Sequence, residues 1–276
     1  MALRAAIELP LPRLAEVFAA AFEAYFVPIS AEVGPFAMRL RAEHVDLAAS
    51  LVAWDGDAPV GLALVARRGS SARIAAMGVV AAARNRGLGR VLLDAAVEQA
   101  RARGERRMIL EVIEENAPAR ALYERNGFTL VRRLVGFRAP PLGGPANEGE
   151  HAALEERPVE ELVRMYVAEA DPALPWQLAP ATIAAAAPPT RAFALGSAVA
   201  LVDLVRGALV VRALVVPAHD RRQGHATRLV HALRARFSDR ALRIVSIVPE
   251  GLLGQLPARV GAETDPLTQL ELVREL

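Results

Sequence analysis

Apolar and polar positions alternate with two periods along this chain, and their order outlines strands and helices in turn. Residues 3–9 read as a strand. Pro10 and Pro12 precede Leu14, Val17, Phe18, Ala21 and Phe22, whose spacing predicts a helix. Residues 25–36 hold Tyr25, Phe26, Pro28, Gly34 and Pro35 and read as a loop, with a second helix over 38–47. Residues 50–54 and 59–66 read as two strands joined by the turn Asp55-Gly56-Asp57-Ala58. A strand over 74–80 leads to a helix over 87–103, with Leu88, Leu92, Ala95 and Gln99 on one face. A strand over 107–113, a short helix over 117–125 ended by Asn126-Gly127, and a strand over 128–135 follow.

The stretch 139–150 is rich in Pro and Gly and carries no apolar period, so it reads as a linker between domains 1–138 and 151–276. The second half repeats the order more weakly. A helix is expected over 159–168, strands over 191–195, 199–204 and 208–216, a helix over 224–237 and a strand over 242–248. An offset of 137 carries Arg84 to Arg221, Gly87 to Gly224 and Gly89 to Ala226. One supersecondary pattern used twice points to an internal duplication.

Composition narrows the chemistry. With 276 residues, 53% of them apolar and 23% charged, the chain can bury two ordinary domain cores. No apolar run is long enough to span a membrane, and the start Met1-Ala2-Leu3-Arg4 does not resemble a secretory leader. Cysteine is absent, which excludes disulfides, cysteine-ligated metals and cysteine nucleophiles, and fits a cytoplasmic location. All 33 Lys-plus-Arg positions are arginine, so neither a Walker lysine nor a Schiff-base lysine exists. A net charge of +2 gives no footprint for nucleic acid. His219, His225 and His231 lie six apart and share no helix face, so no metal site is expected. No Gly-x-Ser-x-Gly motif occurs.

The segment from Met77 to Arg90 is the most informative. A buried strand runs into Arg84-Asn85-Arg86-Gly87-Leu88-Gly89-Arg90, and a long helix starts at once. Free backbone N–H groups, the helix dipole, two glycines and three arginines make a cradle for pyrophosphate. A plain strand–turn–helix junction with solvated arginines would look similar. A dinucleotide site fits less well, because Gly87-Leu88-Gly89-Arg90-Val91-Leu92 lacks the third small residue and follows about three earlier strands. Further on stand Leu110-Glu111-Val112 and the run Asn116-Ala117-Pro118-Ala119-Arg120-Ala121-Leu122-Tyr123-Glu124-Arg125-Asn126-Gly127-Phe128.

The first motif resembles the Arg/Gln-x-x-Gly-x-Gly/Ala signature of the GNAT superfamily of N-acetyltransferases. The second resembles that family's Leu-x-Val-x-x-x-Asn-x-x-Ala-x-x-x-Tyr-x-x-x-Gly-Phe pattern at every fixed position. The resemblance implies two tandem GNAT-like domains of α/β class, each with a mixed, mostly antiparallel sheet flanked by helices. It implies acetyl-CoA as co-substrate and direct acyl transfer to a primary amine of a small molecule or peptide.

On that resemblance, Met77, Gly78 and Val79 would hold the pantetheine and polarise the thioester carbonyl. Arg84, Asn85, Arg86, Gly87, Leu88, Gly89 and Arg90 would take the pyrophosphate, and Asn116 would cap its helix and contact the coenzyme. Tyr123 falls on the family's general-acid position, against the plainer reading of a packed helix residue. Glu111 resembles the proposed base of ribosomal-protein acetyltransferases; it reads equally well as a strand glutamate that faces solvent or pairs with an arginine. The acceptor site would draw on Tyr25, Phe26, Glu32, Phe36, Arg41, Glu43, His44 and Asp46, with the acceptor itself open.

The second half keeps Arg221-Arg222-Gln223-Gly224-His225-Ala226 but loses the second motif, since aligning Gly261 with Gly127 sets Pro257 opposite Tyr123. That domain is expected to be catalytically silent. A monomer or homodimer without membrane or nucleic-acid partners is expected. A non-catalytic acyl-CoA sensor is the rival function.

Overall fold

The computed structural model describes residues 1–143, 153–205 and 207–276. In chain order come β1 (Ala2–Ala5), α1 (Leu11–Ala21), α2 (Val33–Glu43), β2 (Leu51–Asp55), β3 (Ala58–Arg68) and β4 (Ser71–Val79). Then follow α3 (Leu88–Ala102), β5 (Arg107–Ile113), α4 (Ala117–Arg125) and β6 (Thr129–Ala139). The second half has β7 (Glu155–Arg157), α5 (Val159–Glu169), α6 (Pro180–Ala184), β8 (Arg191–Leu195), β9 (Ala198–Val205) and β10 (Ala208–Val215). It continues with α7 (His225–Arg236), β11 (Ala241–Pro249), α8 (Leu256–Arg259), β12 (Glu263–Thr264) and β13 (Gln269–Glu275). Among the described residues no helix is long and apolar enough to cross a membrane.

Two compact units result: Met1–Val131 with Leu270–Leu276, and Arg132–Gln269. The division differs from the expected one. Most of β6 belongs to the second unit, and the chain's last seven residues return to the first. Of the expected linker 139–150, Ala139 ends β6 and residues 144–150 lie outside the described residues.

In the first unit the strand order is β1-β2-β3-β4-β5-β13. β1 to β4 pair antiparallel, and β2 turns into β3 through the two residues between Asp55 and Ala58. β4 and β5 are parallel, but only from Ser71↔Arg107 to Ile74↔Leu110. Beyond that point the strands part, and among the described residues no strand pairs with the β5-facing edge of Ala75–Val79. β3 carries an unbroken buried run over 61–66 because both its faces are covered. α3 turns Leu88, Leu92, Leu93, Ala96, Val97 and Ala100 inward at helical spacing. They meet Ile74, Met108, Leu110, Tyr123, Phe128, Leu270 and Leu272 in one core.

The second unit repeats the scheme, with strand order β6-β11-β10-β9-β8-β7 and β12 on β6. β10 and β11 again pair parallel over three residues, Ala208↔Ala241 to Val210↔Arg243, and then part. α7 packs Leu229, Val230 and Leu233 on Leu209, Val211 and Leu242.

β7, α6, α8, β12 and β13 fall where the sequence pattern shows no element, β6 runs on to Ala139, and two expected elements have other bounds. The strand expected over 3–9 stops at Ala5, and residues 6–8 form a 3-10 turn in which Glu8 accepts the Ala5 N–H at 3.2 Å. The second helix starts at Val33, five residues earlier than expected, because Pro35 sits in its first turn, where the missing N–H costs nothing. It ends at Glu43 because His44 takes a left-handed conformation (φ 60°).

Candidate active site

The glycine turn has a specific shape. Asn85 and Gly87 adopt left-handed conformations (φ 62° and 77°), and α3 begins at Leu88 with no side chain capping it. A Cβ at Gly87 would be strained by that φ. The first-turn N–H groups, which have no acceptor inside the helix, are therefore presented outward. Arg84 is exposed on the cavity rim, with its guanidinium held by backbone carbonyls. Its Nε donates to the Val79 carbonyl at 3.0 Å, and Nη2 donates to the Ala21 carbonyl at 3.2 Å, tying the end of β4 to the end of α1. Gly78 lies under the same helix end: a Cβ there would stand 3.1 Å from both Ala21 Cβ and the Phe22 ring.

A cavity of about 570 Å³ opens along this edge. Met77, Gly78, Val79, Arg84, Asn85, Gly87, Leu88, Gly89, Arg90, Asn116 and Tyr123 line it, together with the α1 end from Ala21 to Phe26. Of the acceptor candidates, Tyr25 and Phe26 also line it, whereas Glu32, Phe36, Arg41, Glu43, His44 and Asp46 do not; of the catalytic and coenzyme candidates, all but two meet in this space. The exceptions are Arg86 and Glu111. Arg86 is exposed and pairs with Asp55 at 3.4 Å, away from the cavity wall.

Glu111 sits on β5 at the first position past the end of β4–β5 pairing. Its Oε2 takes an ion pair from Arg73 Nη2 at 2.7 Å, and Arg73 binds Glu43 at 2.6 Å through Nη1. Arg39 closes the chain on Glu43 at 3.0 Å. Arg73 is 2% exposed. Burial alone would push Glu43 up, but Arg73 and Arg39 outweigh it and hold it below the usual carboxylate range. Burial would likewise lower Arg73, and its two carboxylates overcome this and raise it. Glu111 Oε1 is buried without a hydrogen-bond partner among the described residues. The arginine pairing, not the base geometry, is what the fold gives Glu111. Glu111 is absent from the cavity wall, and its carboxylate is held by a buried guanidinium.

Tyr123, on α4, is buried with its ring edge-on to Phe128 at 5.9 Å. Burial pushes its phenol well above the ordinary tyrosine value, and Tyr25 adds to the rise. Tyr25 is also raised by burial, partly offset by a hydrogen bond with the Asn116 side chain. Asn116 Oδ1 accepts the Ala119 N–H at 3.3 Å, capping α4 as its type and place suggest. The sequence offered Tyr25 as a loop residue and acceptor-site candidate; its coupling to Asn116, 91 positions away, no local pattern reveals.

The second unit repeats the turn without the acid. Arg222 and Gly224 have φ 64° and 82°, and Arg221 donates to the Val216 carbonyl at 3.0 Å, as Arg84 does to Val79. Here the arginine also pairs with Glu169 at 3.1 Å, and Arg228 fills the turn, reaching the Gln223 carbonyl at 3.2 Å and His225 Nδ1 at 2.9 Å. The Pro257 carbonyl accepts the Ala262 N–H at 2.8 Å, just as the Tyr123 carbonyl accepts that of Phe128 at 3.1 Å. The backbones correspond, and proline stands where the phenol would be. Among the described residues no three His, Asp or Glu side chains gather to hold a metal ion.

Residues 12–128 match the model of the acetyltransferase (GNAT) family. A GCN5-related N-acetyltransferase from Sphaerobacter thermophilus superposes with a TM-score of 0.67 at 17% identity, covering 99% of this chain and 95% of that one. A tandem GNAT protein from the clavulanic acid biosynthesis pathway gives 0.66 at 16% identity, over 96% and 94%. A GCN5-related N-acetyltransferase from Kribbella flavida gives 0.63 at 17%, over 100% and 71%. At these identities the likeness is one of fold. A search of curated proteins gave no match.

Proposed function

Residues 12–128 belong to the GNAT family of acetyltransferases, and from that premise we propose that the first unit moves an acetyl group from acetyl-CoA to a primary amine. The observation that supports this most is the single cavity in which the unpaired edge of β4, the uncapped start of α3, Asn116 and Tyr123 converge. The donor set fits the coenzyme: backbone N–H groups and arginines face the polyphosphate end, and a strand edge suits the amide-bearing arm. Glu23 is the only carboxylate side chain on that wall, so anion repulsion is small.

When bound, acetyl-CoA supplies an acyl group activated as a thioester. The protein's own residues do the rest. Backbone N–H groups of 77–79 orient the carbonyl and favour negative charge on its oxygen. Tyr123, kept protonated far above neutral pH by burial, holds a proton for the departing sulfur. The amine loses its proton to water, with Glu111 locked to Arg73 as a structural carboxylate. The second unit, with its turn filled by Arg228 and its acid replaced by Pro257, is silent.

Calorimetric titration with acetyl-CoA, followed by thiol release across a panel of small amines and peptides, tests this. One site per chain and turnover on at least one amine are expected. Replacing Tyr123 by Phe is expected to cut turnover about tenfold or more with acetyl-CoA affinity kept. Binding without turnover on any amine would favour a sensor, and two sites per chain would restore the second turn to function.

A further inference from the structure

Side chains alternate sides along a strand, so Ile74, Ala76 and Gly78 would share one face of an unbroken β4. Here, instead, Ile74, Met77 and Val79 pack in the core that includes α3, while Gly78 faces the end of α1. The switch occurs at Ala75. Leu64 of β3 pairs with Ala76 and Val65 with Ile74, so Ala75 is an extra residue, a β-bulge. Pairing with β5 ends at Ile74, one residue before it. A bulge takes the backbone of its extra residue out of the ladder, and buried carbonyls need donors. Arg39, on α2, donates from Nη2 to the Ala75 carbonyl at 3.2 Å. Arg39 is itself held. Its Nε donates to Glu43 Oε1 at 3.0 Å, and its guanidinium lies 5.4 Å from the centre of the Phe18 ring. Glu43 Oε2 accepts from Arg73 Nη1 at 2.6 Å, and Arg73 Nε donates to Glu111 Oε2 at 2.7 Å. Arg73 and Glu43 are buried. The chain of bonds thus runs from the bulge through α2, back to β4 two residues before the bulge, and on to β5 where the strands part. A rigid guanidinium fork can hold the carboxylate and the carbonyl at once, which a single ammonium would not.

We propose that Arg39 is a positioning residue for the coenzyme edge. By holding the Ala75 carbonyl it fixes the bulge, and the bulge sets how Met77, Gly78 and Val79 present their backbone to acetyl-CoA. The inference rests on the acetyl-transfer reading above. Arg39 stands outside the cavity wall and acts through β4. Glu43 and Arg73 keep its guanidinium in place.

The test is calorimetric titration of the full chain with acetyl-CoA, unaltered, as Arg39→Met and as Arg67→Met, below all three unfolding midpoints. Methionine keeps an unbranched stem against Phe18 and removes the donors. Arg67 is the comparison. Its side chain is 36% exposed, as is that of Arg39, and it bonds Asp46 at 2.9 Å and Glu105, away from the bulge and the cavity wall. Arg39→Met is expected to weaken acetyl-CoA binding about fivefold or more, and Arg67→Met to weaken it less than that. A smaller loss in Arg39→Met overturns the proposal. So does an equal loss in Arg67→Met, which would make the effect one of general loosening. Hydrogen exchange gives a second readout that needs no ligand. Amides of 76–79 are expected to exchange about threefold faster or more in Arg39→Met, with those of 107–110 less affected. A smaller rise over 76–79, or one shared equally by 107–110, overturns the role of Arg39. Failure of the transfer reading shows differently: the unaltered chain then binds no acetyl-CoA, and hydrogen exchange still judges whether Arg39 holds the bulge.

Discussion

Glu111 and Tyr123 lie twelve positions apart in one motif, yet the fold treats them oppositely. Tyr123 faces the cavity; Glu111 faces Arg73, a residue 38 positions earlier on a neighbouring strand. Replacing Glu111 by Gln is therefore expected to leave the acid limb of the pH–rate profile in place. Its cost should appear in stability, about 1–3 kcal/mol by urea unfolding, since Arg73 keeps only Glu43. An acid limb that vanishes would restore Glu111 as the base. The phenols make a second residue-scale prediction. Burial pushes Tyr166 up to about 12, and Tyr123 is also raised. The unfolded chain releases these protons near the ordinary tyrosine value of 10.0, while the folded chain retains them. Stability from this source is thus complete below pH 10 and falls as pH rises beyond it, which urea midpoints measured across that range will show.

Elements explain how the proposed cradle is built. Helical spacing in α3 and the Gly87 turn are both local, and both read directly from the chain. The close approach of α1 to β4 is not local, and Gly78 and Arg84 mark it from the strand side. A Gly78→Ala change would force a Cβ against Ala21 and Phe22, and overpacking of this kind costs about 1–3 kcal/mol. Reduced thermal midpoint with weakened acetyl-CoA binding is the expected result, and a variant matching the unaltered protein in both would refute this role. Arg221 repeats the Arg84 staple, so this device belongs to the duplicated element itself.

At the scale of the molecule, the duplication is not two beads joined at a linker. Leu270 and Leu272, from the last strand, sit in the core of the first unit with Tyr123 and Phe128. Ending the chain at Gln269 would remove the strand beside β5 and expose that core. Such a truncation is expected to abolish acetyl-CoA binding and to unfold the first unit well below the full chain, by calorimetry. Retained binding would show that β13 is dispensable. The sequence by itself determined the repeat, the glycine turn and the elements from β1 to β6, because periodicity and turn chemistry are set by residues a few positions apart; β7, α6, α8, β12 and β13 were not legible in it. The tertiary structure alone decided which carboxylate was neutralised, which arginines were turned inward, how Tyr25 is coupled to Asn116 and which unit received each final strand. Those outcomes depend on burial and on pairings between distant segments, whose energies no local pattern encodes.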